Sequence, residues 1–232
     1  MSNELILLTS VVIFFGGTLV WMRLFGEQGL ICFTVLATIS ANIEVMILVN
    51  AFGMEQTLGN ILFASTFLVT DILSETKGKP AANKAVNAGI LASISFIIIS
   101  QIWLLFTPSS NDWAFESIKT IFSNTPRTML ASLLVYAICQ RFDVWAYHKI
   151  WEFTEEKTGS HKALLWVRNN AATLMSQLIN TVLFNFAAFG GIYSARTMVS
   201  ICASGYLIFI FTSLLDTPFV YLARYMNQKH PI

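Results

Sequence analysis

Leu164-Leu165-Trp166-Val167-Arg168-Asn169-Asn170-Ala171-Ala172-Thr173-Leu174-Met175-Ser176-Gln177-Leu178-Ile179-Asn180-Thr181-Val182-Leu183-Phe184 has the length and apolar frame of a membrane helix, yet it carries amides, hydroxyls and an arginine where lipid tails belong. Such groups are costly in hydrocarbon and usually face a bundle interior or a polar cavity. Asn170, Thr173, Gln177, Asn180 and Thr181, with Phe184 beyond them, recur at three and four residues, which gathers them on one helical face. One isolated amide would serve as helix–helix glue, but five on one face exceed what packing needs.

The rest of the chain has the same character. With 55% apolar and 12% charged residues and 19 phenylalanines in 232, it cannot hide that surface within one water-soluble globule. A bilayer core of roughly 30 Å takes about 20 apolar residues per helix. Seven such stretches are read at about 4–24, 28–50, 56–75, 84–106, 127–149, 166–189 and 197–224. The first lacks the basic start and small-residue cleavage site of a signal peptide and is expected to be retained. The fold class is therefore an all-α integral membrane protein.

Basic residues sort the ends. Arg23, then Lys77, Lys79 and Lys84, then Lys149, Lys157 and Lys162, and finally Arg224 and Lys229 follow alternate spans, while the opposite loops hold only Lys119, Arg127 and Arg196. By the positive-inside rule the N-terminus is outside and the C-terminus cytoplasmic. The connection at 107–126 begins as turn chemistry and continues as a short interfacial helix near Trp113. The segment 150–163 reads as a solvated helix end followed by a turn at Gly159.

Soluble chemistry finds no support. No phosphate-cradling Gly-x-x-x-x-Gly-Lys, zinc-type His-Glu-x-x-His or Gly-x-Ser-x-Gly is present. Cys32, Cys139 and Cys202 lie in separate apolar spans as small hydrophobes. His148, His161 and His230 sit at or beyond span ends. No enzyme, metal or cofactor is expected, and no basic stripe with interleaved aromatics points to nucleic acid.

Two further stripes join the first. Phe63, Phe67, Asp71 and Glu75 are spaced by four in the third span, and Tyr136, Gln140, Asp143 and Tyr147 share a face of the fifth. Counting along the helices at about 1.5 Å per residue, Gln140 and Gln177 lie near mid-membrane, whereas Asp71, Glu75, Asp143, Asp216 and Arg168 lie toward the cytoplasm. Several of these have simpler roles open to them. Arg168 would snorkel to the interface, Asp143 would pair with Arg141 or Lys149, and Asp216 would satisfy backbone groups freed by Pro218.

Three ordered segments carry a resemblance. They are Phe67-Leu68-Val69-Thr70-Asp71-Ile72-Leu73-Ser74-Glu75; Arg127 to Ser132 with Cys139-Gln140-Arg141-Phe142-Asp143-Val144; and Leu165 to Asn170 with Ser176-Gln177-Leu178-Ile179-Asn180-Thr181. The chain closely resembles the queuosine precursor transporter family, also called the vitamin uptake transporter family, over about 28–226. The resemblance implies import of 7-deazaguanine bases (preQ0, preQ1 or queuine) used in tRNA modification. It also implies a six-helix core similar to the substrate-binding components of vitamin importers, working without an ATPase. On that division 1–27 is an additional N-terminal helix, 28–226 the core and 227–232 a cytoplasmic tail. The family's Thr-Asp, Gln-x-x-Asp and later Gln-x-x-Asp-Thr patterns fall on Thr70-Asp71, Gln140 to Asp143 and Gln177 to Thr181. Asn180 stands where Asp is usual, and Cys139 where Ser is frequent.

A deazaguanine needs stacking surfaces and a mixed donor–acceptor edge. Phe67, Tyr136 and Phe184 are the expected stacking rings. Gln140, Gln177 and Asn180, with Asn42 and Asn170, are expected to read the edge. Asp71 would take the amine or ring N–H, Asp143 is a further substrate-binding candidate, and Arg168 would organise the acids. Asp71, Glu75 and Asp216 are candidates for proton handling or gating in the multi-pass plasma-membrane protein. Gly190-Gly191 or the kink before Pro218 would supply the give for alternating access. Secondary transport, facilitated diffusion and a role as the binding subunit of a multicomponent importer all remain open, as does homo-oligomerisation.

Overall fold

The computed structural model describes residues 2–123, 126–191 and 194–229; the side chains of residues 54, 55 and 126–128 also lie outside the description, which leaves His230 and the Arg127 side chain aside. The elements run α1 (Asn3–Glu44), β1 (Leu48–Ala51), β2 (Met54–Thr57), α2 (Gly59–Lys77), α3 (Lys79–Trp103), α4 (Phe115–Ser123), α5 (Pro126–Thr158), α6 (Leu165–Phe189) and α7 (Ala195–Lys229). Five of them, α1, α3, α5 from Met129, α6 and α7, are long and apolar enough to cross a bilayer. The chain is a multi-pass membrane protein.

Although α1 spans 42 residues, it is broken at Gly26, where φ is 61° and ψ −140°. That left-handed geometry is open to glycine and strained for other residues. The chain folds back there so tightly that a Cβ on Gly29 would strike the Trp21 carbonyl, and Gly17 lies against the Phe33 ring. α1 is thus an antiparallel helix pair, matching the separate stretches read at 4–24 and 28–50. Its first arm is part of the core, with Phe15 meeting Phe219 edge-on at 5.5 Å.

The expected helix over 28–50 ends early, because residues 48–57 form a β-hairpin rather than helix. Leu48 pairs with Thr57 and Ala51 with Met54, and the turn uses Phe52 (φ 54°) and Gly53 (φ 72°). Two successive positive φ values match the twist of a two-residue hairpin, so this short apolar run belongs to strand despite its hydropathy. The N-terminus holds the hairpin: Asn3 Nδ2 donates to Asn50 O (2.8 Å), and the Phe52 amide donates to Glu4 Oε1 (3.1 Å).

Fourteen of the nineteen α2 residues are buried, because α2 packs directly on α1, α3, α5 and α7. It stops at Gly78 (φ 83°), and Pro80 opens α3 at once. Trp113 is 90% exposed ahead of α4, whose first amides, from Ala114 and Phe115, donate to Asp112 Oδ1. α5 extends nine residues past its expected end at 149 and reverses at Gly159, where φ is 64°.

Candidate functional site

α6 supplies the site, and its polar residues fan toward three neighbours rather than facing one interior. Arg168 and Thr173 reach α2, Ser176 reaches α5, and Asn169 and Asn170 reach α7. Arg168 and Thr173 thus tie α6 to α2 through polar side chains.

At the end rich in basic residues lies a closed ionic layer. Arg168 is fully buried and does not snorkel. Its Nε (3.2 Å) and Nη2 (2.7 Å) donate to Glu75 Oε2, and its Nη1 donates to Ala163 O at 2.8 Å. Tyr147 donates to the same carboxylate oxygen at 3.0 Å, and Arg224 Nη1 stands 3.1 Å from Glu75 Oε1. The guanidinium of Arg168 also lies 4.1 Å over the Trp151 ring. Glu75 is therefore matched by two arginines, and Arg168 is committed to it rather than facing a solute. A polar cavity of ≈370 Å³, lined by Glu75, His148, Trp151, Glu152 and His161 among others, opens beyond this layer.

Next along α6 come three buried carboxylates with neutral partners. Thr173 donates to Asp71 Oδ2 (3.2 Å), Ser176 to Asp143 Oδ1 (2.8 Å) and Asn169 to Asp216 Oδ1 (2.7 Å). Asp143 does not pair with the basic residues of its own helix: Arg141 reaches Asn87 and Lys149 reaches Glu152. Asp216 is engaged by a side chain and not by the backbone near Pro218. Asn170, expected to face a solute, turns to α7, donating to Thr217 Oγ1 (2.7 Å) and accepting from Ser213 (3.2 Å).

The two glutamines expected near mid-membrane have opposite fates. Gln140 is spent on α2: its Nε2 donates to Thr66 Oγ1 (2.7 Å), and its Oε1 accepts from Thr70 (3.2 Å). Gln177 is equally buried, yet neither its nitrogen nor its oxygen has a partner among the described residues. Asp71 Oδ1, Asp143 Oδ2, Asn169 Oδ1 and Ser74 Oγ share that condition. Gln177 sits one turn from Thr173, which holds Asp71, and next in sequence to Ser176, which holds Asp143, so its amide lies along α6 from the partners of two of these acids. An orphaned buried polar group costs about 1–3 kcal/mol, and several together mark a place where a polar ligand completes the bonding. Asn42 lies apart, bridging α1 to α3 through Thr38 O (2.9 Å) and Ser93 Oγ (3.3 Å), with its Oδ1 unmatched among the described residues.

Aromatic rings of α2, α5 and α7 cluster one to two turns from the acids. Phe63 meets Phe67 (5.4 Å), Tyr136 (5.9 Å) and Phe209 (6.5 Å), while Phe184 packs with Phe67 and Cys139. The Tyr136 hydroxyl is pressed against Gly89, where no Cβ would fit. Asn180 lies beyond this layer, in a cavity of ≈430 Å³ beneath the hairpin. The sequence reading missed Asn169, Ser176 and Arg224, which lie off the helical faces it followed, and Gln56, Asn60 and Asn185, which only the hairpin-end cavity brings together.

Comparison with known proteins identifies the family. Residues 57–223 match the family described as "Putative vitamin uptake transporter". The chain is also 36% identical, over 226 residues covering 97% of it and 96% of the relative, to a protein of Bacillus subtilis (strain 168) named "Probable queuosine precursor transporter". No solved structure matches it. The matched region takes in Glu75, Arg168, Gln177 and the three buried acids, and the chain belongs to the vitamin uptake transporter family.

Proposed function

We propose that this protein is a plasma-membrane importer of queuosine precursors, and that its 7-deazaguanine base is held between Gln177, Asp71 and Asp143. The observation that carries the reading is that both Gln177 amide atoms, and one oxygen each of Asp71 and Asp143, have no partner among the described residues. A deazaguanine edge offers N–H donors to the carboxylates and Gln177 Oε1, and a carbonyl to Gln177 Nε2. Phe67 is the stacking surface. The family membership and the name of the relative support the same substrate class.

Seven passes are inferred, counting the two arms of α1 and the central α2, with the first arm added to a six-helix core. The N-terminus is assigned outside. The basic loops support this by meeting at one end of the bundle, where Lys84 pairs with Glu27 and Arg224 bonds the Lys162 carbonyl. The ionic layer about Glu75 then closes the cytoplasmic side, and transport requires that it open. Asp71 and Asp216 remain candidates for proton handling, whereas Glu75 acts through its arginines.

Uptake of labelled preQ0 and preQ1 into proteoliposomes tests the reading. Saturable uptake that is abolished by Gln177→Leu is expected. A wild-type protein that neither accumulates these bases nor is thermally stabilised by them would refute it.

A further inference from the structure

The ≈430 Å³ cavity beneath the hairpin differs in kind from the acid site. It is lined by four amides, Gln56, Asn60, Asn180 and Asn185, by hydroxyl residues, and by Phe184 and Phe209; none of its lining residues is charged among those described. Its volume lies in the roughly 300–1,000 Å³ range of small-molecule pockets. Beside it Phe63, Phe184 and Phe209 surround a gap of only ≈40 Å³ that Asn180 also borders. That gap is far too small for a purine-sized base, whereas the cavity is not.

Two of the amides are already oriented. Asn185 Nδ2 donates to Thr181 O (2.7 Å), which presents its Oδ1 as an acceptor, and Asn60 Oδ1 accepts from Thr57 Oγ1 (3.2 Å), which presents its NH₂ as a donor. A fixed acceptor and a fixed donor in a cavity bordered by phenylalanine rings match a flat heterocycle whose edge carries N–H beside C=O. Carboxamides are well suited to reading such edges in pairs. Water alone would be served by the serines and threonines.

We propose that this cavity is a second binding station, where the uncharged donor–acceptor edge of the base is captured before the solute passes the phenylalanine layer to the acids. The inference rests on the transport reading above. The outer station reads the edge that all 7-deazaguanines share first, and hands that same edge on to Gln177 and the acids. Asn180, an amide at the boundary, belongs to the outer station. Its lack of charge keeps this station indifferent to whether the substituent is cationic.

Equilibrium binding of tritiated 7-cyano-7-deazaguanine to the purified full chain tests the proposal, alongside uptake kinetics in proteoliposomes. The wild type is expected to bind two molecules per chain with distinct affinities. Asn60→Ala/Asn185→Ala should bind one and raise KM about tenfold, as loss of a well-placed hydrogen-bond pair would, with Vmax retained. Gly205→Leu is the independent variant, because a Cβ there meets only Thr181 Cγ2 at 3.7 Å and the longer side chain fills the cavity; it should behave alike. One site in the wild type, or an unchanged KM in both variants, would overturn the second station while leaving the importer intact. No binding by the wild type would overturn both.

Discussion

Arg168 and Glu75, ninety-three residues apart, form a 2.7 Å ion pair from which solvent is excluded on both sides. The pair ties α6 to α2 at the basic end of the bundle, and Arg224 brings in α7. One carboxylate thereby fastens three helices that a transport cycle must separate. A buried pair of this kind adds little net stability relative to apolar packing, but breaking one side of it is costly.

Glu75→Gln leaves the buried Arg168 guanidinium and the partly exposed Arg224 guanidinium without their anion. A loss of about 3–5 kcal/mol is expected, read as a lower unfolding midpoint in detergent. Arg168→Gln added to it should recover part of that loss, giving a coupling of about 0.5–3 kcal/mol in a double-mutant cycle. Strict additivity would mean that the two side chains act separately.

Gln177 and Gln140 separate ligand binding from helix glue. Gln177→Leu gives up no side-chain hydrogen bond among the described residues, so thermal stability should hold or rise while uptake is lost. Gln140→Leu strips partners from Thr66 and Thr70 and should cost about 1–3 kcal/mol. The opposite order of stabilities would place the ligand at Gln140.

A methyl group on Gly89 has no room beside Tyr136. Gly89→Ala is expected to destabilise the α3–α5 contact by about 1–3 kcal/mol through overpacking, and Tyr136→Phe should return part of it by removing the hydroxyl. Equal midpoints for Gly89→Ala and wild type would show that the helices move apart freely.

Glu4 anchors the hairpin turn through the Phe52 amide. In Glu4→Ala, exchange of that amide measured by deuterium labelling should quicken about fivefold, in keeping with one lost hydrogen bond. Unchanged protection would mean that the strands hold the turn unaided.

Much of the architecture was legible because it depends on local chemistry. Apolar length marked the helices, Gly159 marked a turn, and the sorted lysines and arginines marked one end of the bundle. The hairpin at 48–57 was not legible, since Leu48-Val49 suits a membrane helix and a strand equally by hydropathy. The break at Gly26 was bracketed by two apolar stretches, but how tightly the arms fold together depends on Gly29 and Gly17 meeting Trp21 and Phe33.

The sequence by itself determined that amides and acids lie inside an apolar bundle, because hydrocarbon leaves such groups nowhere else to go. It could not determine which of them remain free to bind. Gln140 and Gln177 are the same residue, read at the same depth and equally buried; the first faces two threonines of α2 and the second faces no partner among the described residues. Only tertiary packing made that difference, because a hydrogen bond depends on what a neighbouring helix brings within about 3 Å, and no spacing along one chain segment encodes the side chain across from it.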